Sequence, residues 1–198
     1  MHIAILTFDG FNELDSLIAL GILNRVKRPG WKVSIACPAA RVTSMNGIVI
    51  EAQATLEDAS RADAVIVGSG MKTREVVADT GLMSELRLDP SRQLLAAQCS
   101  GTLVLAKLGL LDGVAACTDL TTRPWVVEAG VDVLNQPFVR KRQRRHGRWL
   151  PRVAISRRLG DCAAGGHRGS VRRDVLRRPG RREGRVRVAG DAEHHALP

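Results

Sequence analysis

The sequence predicts an α/β domain built on a mainly parallel sheet with helices on both faces. Two observations carry this. Short β-rich apolar runs alternate with stretches whose apolar residues recur at helical spacing, the pattern of strand–helix–strand units. The 198 residues also suffice for one such domain with a substantial core.

In chain order, "HIAILTF" (2–8) reads as the first strand. "DGFNELDSLIALGILNRV" follows, with Leu14, Leu17, Ile18, Ile22 and Val26 at helical spacing. "WKVSIAC" is a second strand, and "RVTSMNGIVIEAQ" holds two short strands around Asn46-Gly47, a pair suited to a tight hairpin turn. "ADAVIVGSG" is a strand that stops on glycines, followed by a helix in "KTREVVADTGLMSELR". "RQLLAAQC" and "SGTLVLAKLGLL" repeat the unit. "TRPWVVEAG" is a short helix with Pro124 in its first turn and Gly130 closing it, and "VDVLN" is a final strand.

Charge divides the chain near Val139. Residues 1–139 carry 12 Lys and Arg against 15 Asp and Glu, whereas residues 140–198 carry 18 against 5. The expected organisation is therefore an α/β domain over 1–139 and an irregular or disordered Arg-rich tail over 140–198. No apolar run reaches transmembrane length and no signal peptide opens the chain, so a cytoplasmic protein without membrane contact is expected. Cys37, Cys99, Cys117 and Cys162 show no paired spacing and read as free thiols rather than a disulfide or zinc framework. His146, His167, His194 and His195 are too scattered for a metal site, and neither metal nor cofactor is expected. No G-x-x-x-x-G-K-[ST] is present and no G-x-G-x-x-G follows the first strand, so "GSG" alone argues weakly for phosphate.

In parallel sheets, sites form beyond the carboxyl ends of strands. Three such ends are chemically loaded: Thr7 to Asp15, Gly68-Ser69-Gly70, and Cys99-Ser100-Gly101. Cys99 sits where strand turns to helix, where backbone N–H groups and the helix dipole favour a thiolate. Ser100 and Gly101 permit a sharp turn and leave N–H groups for an oxyanion, and Ser69 and Gly70 can complete that hole. Asp15 can supply a proton-transferring carboxyl. The plainer readings are a buried structural cysteine at Cys99, a helix cap or first-turn acid at Asp15 with Glu13 competing for its role, and a simple strand end at Ser69-Gly70. Cys37 and Cys117 read as core thiols, and Trp31 and Trp125 as packing.

"IAILTFDGFNELD", "DAVIVGSG" and above all "LLAAQCSGTLVLAKLGLLDG" resemble the DJ-1/PfpI (ThiJ-like) superfamily, a class I glutamine amidotransferase-like group, over residues 1–139. Cysteine followed by a small hydroxyl residue and Gly, with Asp in the first helix, is similar to its isonitrile hydratase-like branch. The resemblance implies a doubly wound, flavodoxin-like sheet, a homodimer, and a cofactor-free cysteine hydratase or hydrolase acting on a small electrophile. Cys99 would be the nucleophile, Asp15 its carboxyl partner, and the N–H groups of Gly70 and Ser100 the oxyanion site. Relatives with a hydrolytic triad place His directly after the Cys or after the following strand. Those places hold Ser100 and Asp119 here, which makes Asp119 a possible third partner and a Cys-His-acid protease an unlikely reading. A redox or metabolite sensor, or an inactive chain, are the alternatives.

Family members continue with a strand, a glycine turn and an apolar helix where this chain reads "RKRQRRHGRWLPRVAISRRLG". Back-translated with GC-rich wobble bases and moved one nucleotide forward, the tail permits a family-like strand, glycine turn and helix; Trp149-Leu150 yields glycine whichever leucine codon is used. The tail is expected to be a frameshift product, which would leave one sheet face without its apolar cover. Its charge implies only non-specific, salt-sensitive binding to nucleic acid.

Overall fold

The computed structural model describes residues 1–145 and 148–156. Its strands are β1 (His2–Leu6), β2 (Lys32–Ala36), β3 (Arg41–Thr43), β4 (Val49–Glu51), β5 (Ala64–Val67), β6 (Leu94–Gln98), β7 (Phe138–Arg145) and β8 (Arg148–Ser156). Its helices are α1 (Glu13–Leu23), α2 (Leu56–Arg61), α3 (Thr73–Ala78), α4 (Thr80–Glu85), α5 (Gly101–Lys107) and α6 (Arg123–Glu128). Six strands form one sheet in the order β2-β1-β5-β6-β8-β7, parallel except for the antiparallel β7 at the edge. The mixed α/β architecture with a mainly parallel sheet is thus present. β3 and β4 form the expected hairpin, with Gly47 at φ 86° in the turn after Asn46.

The alternation along the strands sorts side chains between two faces. Ala4, Leu6, Val65, Val67, Leu95 and Ala97 enter the larger core, shared with Leu103, Val104 and Leu105 of α5 and Val126 of α6. Ile3, Ile5, Val33 and Ala64 form a smaller core on the other face, against Ala19, Leu20 and Leu23 of α1. On that second face Ile66, Leu94 and Ala96 are only half-buried, and α1 alone of the described helices packs there.

Two expectations differ from the structure. "VDVLN" forms no strand; Val133 makes only an isolated parallel bridge to Ala116, too little pairing to sustain a ladder. The irregular tail expected from residue 140 is instead strand at 140–145 and 148–156. β8 pairs in parallel with β6 from Leu95↔Val153 to Gln98↔Ser156, and β7 pairs antiparallel with β8 at the edge of the sheet. The rest of the tail lies outside the described residues. No described helix is long and apolar enough to cross a membrane.

Candidate functional site

The carboxyl ends of β1, β5 and β6 are stitched into one surface. Phe11, beyond β1, bridges both Ser44 and Gly70. The Asn12 N–H donates to the Ser69 carbonyl at 2.8 Å, and the Met71 N–H to the Gly10 carbonyl at 2.9 Å. At the end of β6, Cys99 adopts φ 48°, the only positive φ of a non-glycine residue among those described. An L-residue rarely accepts this conformation, and here it points a side chain out of a strand-to-helix elbow. Gly101 makes the elbow possible. A Cβ there would lie 2.5 Å from the Val67 carbonyl oxygen and 2.6 Å from that of Gly68, so α5 starts flush against the end of β5.

The Cys99 thiol is buried and donates to Asp119 Oδ2 at 3.1 Å. Asp119 lies in the loop before α6, and that loop is fixed to the elbow. Thr118 Oγ1 donates to the Cys99 carbonyl at 2.9 Å, and Thr102 Oγ1 to the Cys117 carbonyl at 3.1 Å. The N–H groups of Thr121 and Thr122 each donate to Asp119 Oδ1 at 2.9 Å, leaving Oδ2 toward the sulfur. Burial tends to raise the Asp119 pKa, but hydrogen bonds from Thr122, Cys99 and Thr121 outweigh it and hold the carboxyl below its ordinary range.

The thiol moves the other way. Burial first, then the hydrogen bond and charge of Asp119 and the charge of Asp15, push Cys99 up to about 12. Burial beside two carboxyls thus opposes the thiolate that the N-terminus of the seven-residue α5 would favour. Asp15 acts on Cys99 through its charge. Its Oδ2 accepts from Ser69 Oγ and from Asn12 Nδ2, tying α1 to the loop after β5 while Asn12 caps the helix. Glu13 is half-buried and accepts from Asn46 of the hairpin.

The oxyanion candidates gather around the same elbow. The Gly70 N–H donates to Ser100 Oγ at 3.1 Å, so this amide is occupied by a side chain that a ligand atom would replace. Ser100 Oγ also lies 2.8 Å from Thr73 Oγ1, which donates to the Gly70 carbonyl.

A cavity of about 400 Å³ opens over these groups. Ser69, Gly70, Cys99, Ser100 and Asp119 line it; Asp15 and Gly101 do not. Its outer wall is Met45, Met71, Leu120 and Trp125, with Arg74 stacked 4.7 Å above the Trp125 ring. Trp31 packs against α1 as expected, but Trp125 faces the cavity. Arg74 and Thr73 carried no signal in the sequence and Trp125 read only as packing, because they reach the site from α3 and α6 only through folding. Cys37 and Cys117 are buried thiols. Among the described residues no cluster of His, Cys, Asp and Glu is arranged to hold a metal.

Residues 1–144 match the DJ-1/PfpI family. Among solved structures, the chain is similar to a THiJ/PfpI family protein from Pseudomonas syringae at 22% identity and TM-score 0.67, covering 80% of this chain and 62% of that one. A two-domain protein from Anabaena variabilis, with DJ-1/ThiJ/PfpI-like and ferritin-like domains, matches at 23% identity and TM-score 0.65, covering 82% and 45%. Schizosaccharomyces pombe DJ-1 matches at 16% identity and TM-score 0.64, covering 81% and 85%. The chain thus spans less than two thirds of the first two proteins. No curated protein matches.

Proposed function

Because the chain belongs to the DJ-1/PfpI family, we propose that it is a cofactor-free cysteine hydratase or hydrolase, of the isonitrile hydratase-like kind, in which Cys99 attacks a small electrophilic carbon and Asp119 handles the proton. The observation that carries this is the 3.1 Å hydrogen bond from the strained, buried Cys99 thiol to Asp119 at the base of the cavity.

At rest the sulfur keeps its proton, since the thiol lies near 12 and Asp119 below its ordinary range. Attack therefore couples two events: the sulfur forms its bond to carbon while its proton passes to Asp119 Oδ2. Asp119 then returns that proton to the substrate atom on which the electron pair collects. The Ser100 N–H and the Gly70 N–H, once Ser100 Oγ is displaced, steady the charge. Water then adds to the same carbon, and the departing sulfur recovers a proton through Asp119. Asp15 is retained as a positioning carboxyl through Ser69 rather than as the thiol's partner. Turnover, rather than stoichiometric modification of Cys99, separates this reading from the sensor alternative.

The test is hydration of a short alkyl isonitrile to the corresponding formamide. Cys99→Ser is expected to abolish turnover, and an undiminished rate would end the nucleophile assignment.

We further propose a homodimer, a cytoplasmic setting suited to the buried free thiols, and a frameshifted tail. The family match stopping at residue 144, close to the change in charge at 139, supports the last. Sequencing the source gene across the codons for Pro137 to Trp149 tests it. An extra or missing base is expected, and an intact frame would make the basic tail native and the chain a candidate for inactivity.

A further inference from the structure

Resting on the reading of Cys99 as nucleophile, we propose that Arg74, held on the face of Trp125, is an anion-recognition element, so that the cavity takes small electrophiles bearing a carboxylate on a short apolar body. Four features converge. Among the described residues, Arg74 is the only cationic side chain lining the cavity. It forms no ion pair among the described residues, whereas nearby Lys72 is bound to Asp9. Its guanidinium lies 4.7 Å over the Trp125 ring, within cation–π range. Stacking restrains the group through its face and leaves its in-plane N–H fork for a planar acceptor, the geometry that suits a carboxylate.

The other charge in the cavity does not compete for this role. Asp119 is engaged on Oδ1 by two backbone N–H groups and on Oδ2 by the thiol. An anionic ligand is therefore drawn to the Arg74 side, away from Asp119, which leaves its other end to reach Cys99. Between the two poles the wall is Met45, Met71 and Leu120, which favours a body of methylene or methyl groups. The volume of about 400 Å³ sits near the lower end for ligand pockets and suits a small ligand body.

Thiol-labelling kinetics on the full chain test this directly. The probes are N-ethylmaleimide and the maleimido-carboxylates with one, two and three methylenes, which share an electrophile and differ in the terminal charge. Labelling at Cys99 is followed by peptide mapping, and each rate is normalised to that of 2-mercaptoethanol. At least one carboxylate is expected to outpace N-ethylmaleimide. In Arg74→Gln this carboxylate-to-neutral ratio should fall about fivefold, a charged hydrogen bond discounted for solvent exposure. Arg74→Lys should restore part of it, and added salt should erode it. Ratios that match in the native chain and Arg74→Gln at every chain length overturn anion recognition while leaving the nucleophile intact. Absence of label at Cys99 with all four probes overturns the nucleophile reading and this proposal with it.

Discussion

At the residue scale, the proposed chemistry turns on one hydrogen bond, from Cys99 to Asp119. Asp119→Asn keeps an acceptor for the Thr121 and Thr122 N–H groups but removes the charge beside the thiol. The Cys99 pKa is therefore expected to fall from about 12 toward its ordinary 9.0, with burial keeping it raised. Turnover should fall about a hundredfold or more despite the more acidic thiol, because the proton acceptor is lost. Thiolate absorbance against pH and isonitrile hydration measure the two effects. A rate that rises with thiolate content would show that Asp119 only restrains the sulfur. The raised thiols also bear on stability. A group whose folded pKa exceeds its unfolded value stabilises fully below the unfolded value and loses that contribution as pH climbs. Cys99, near 12, and Cys37, near 11, both start from 9.0, so the fold should weaken progressively above about pH 9. Denaturation midpoints across that range check it; a flat profile would contradict the burial of both thiols. Cys99 was legible in the sequence because small residues after a β-rich run mark an elbow. Asp119 was legible only as a place where a partner could stand, and Asp15, more prominent in sequence, turned out to hold Ser69.

The elements show why periodicity located α1 without naming its buried face. Leu14, Ile18 and Ile22 fall at helical spacing, yet they are 64%, 46% and 58% exposed. Leu17, Leu20 and Leu23 pack inward instead. Apolar residues lie around much of this helix, so spacing proves a helix without choosing the buried stripe. The strands beneath were readable from their unbroken apolar runs, as expected for strands covered on both faces. The elbow was readable as well, and its tolerance can be tested. Gly101→Ala should cost about 2 kcal/mol or more, since its Cβ meets two backbone carbonyls that cannot rotate away. Urea denaturation gives that number, and Cys99 labelling should slow in parallel as the elbow shifts. Full stability would mean that β5 and α5 can separate freely.

For the molecule as a whole, the exposed face of α1 is the surface where the proposed homodimer would meet. A row of three large aliphatic residues on one helix is more than scattered surface apolarity. If this face joins two copies, Ile18→Lys should shift sedimentation from dimer to monomer while leaving the fold's spectrum unchanged. A dimer that survives the substitution would place the interface elsewhere.

The left-handed backbone at Cys99 carries a consequence beyond catalysis. A non-glycine residue there costs the fold on the order of 1 kcal/mol at all times, with or without substrate. Selection for stability alone would therefore drift this position toward glycine or asparagine. A copy of the gene released from its chemical duty should reveal that release first at this codon, before any loss elsewhere in the sheet.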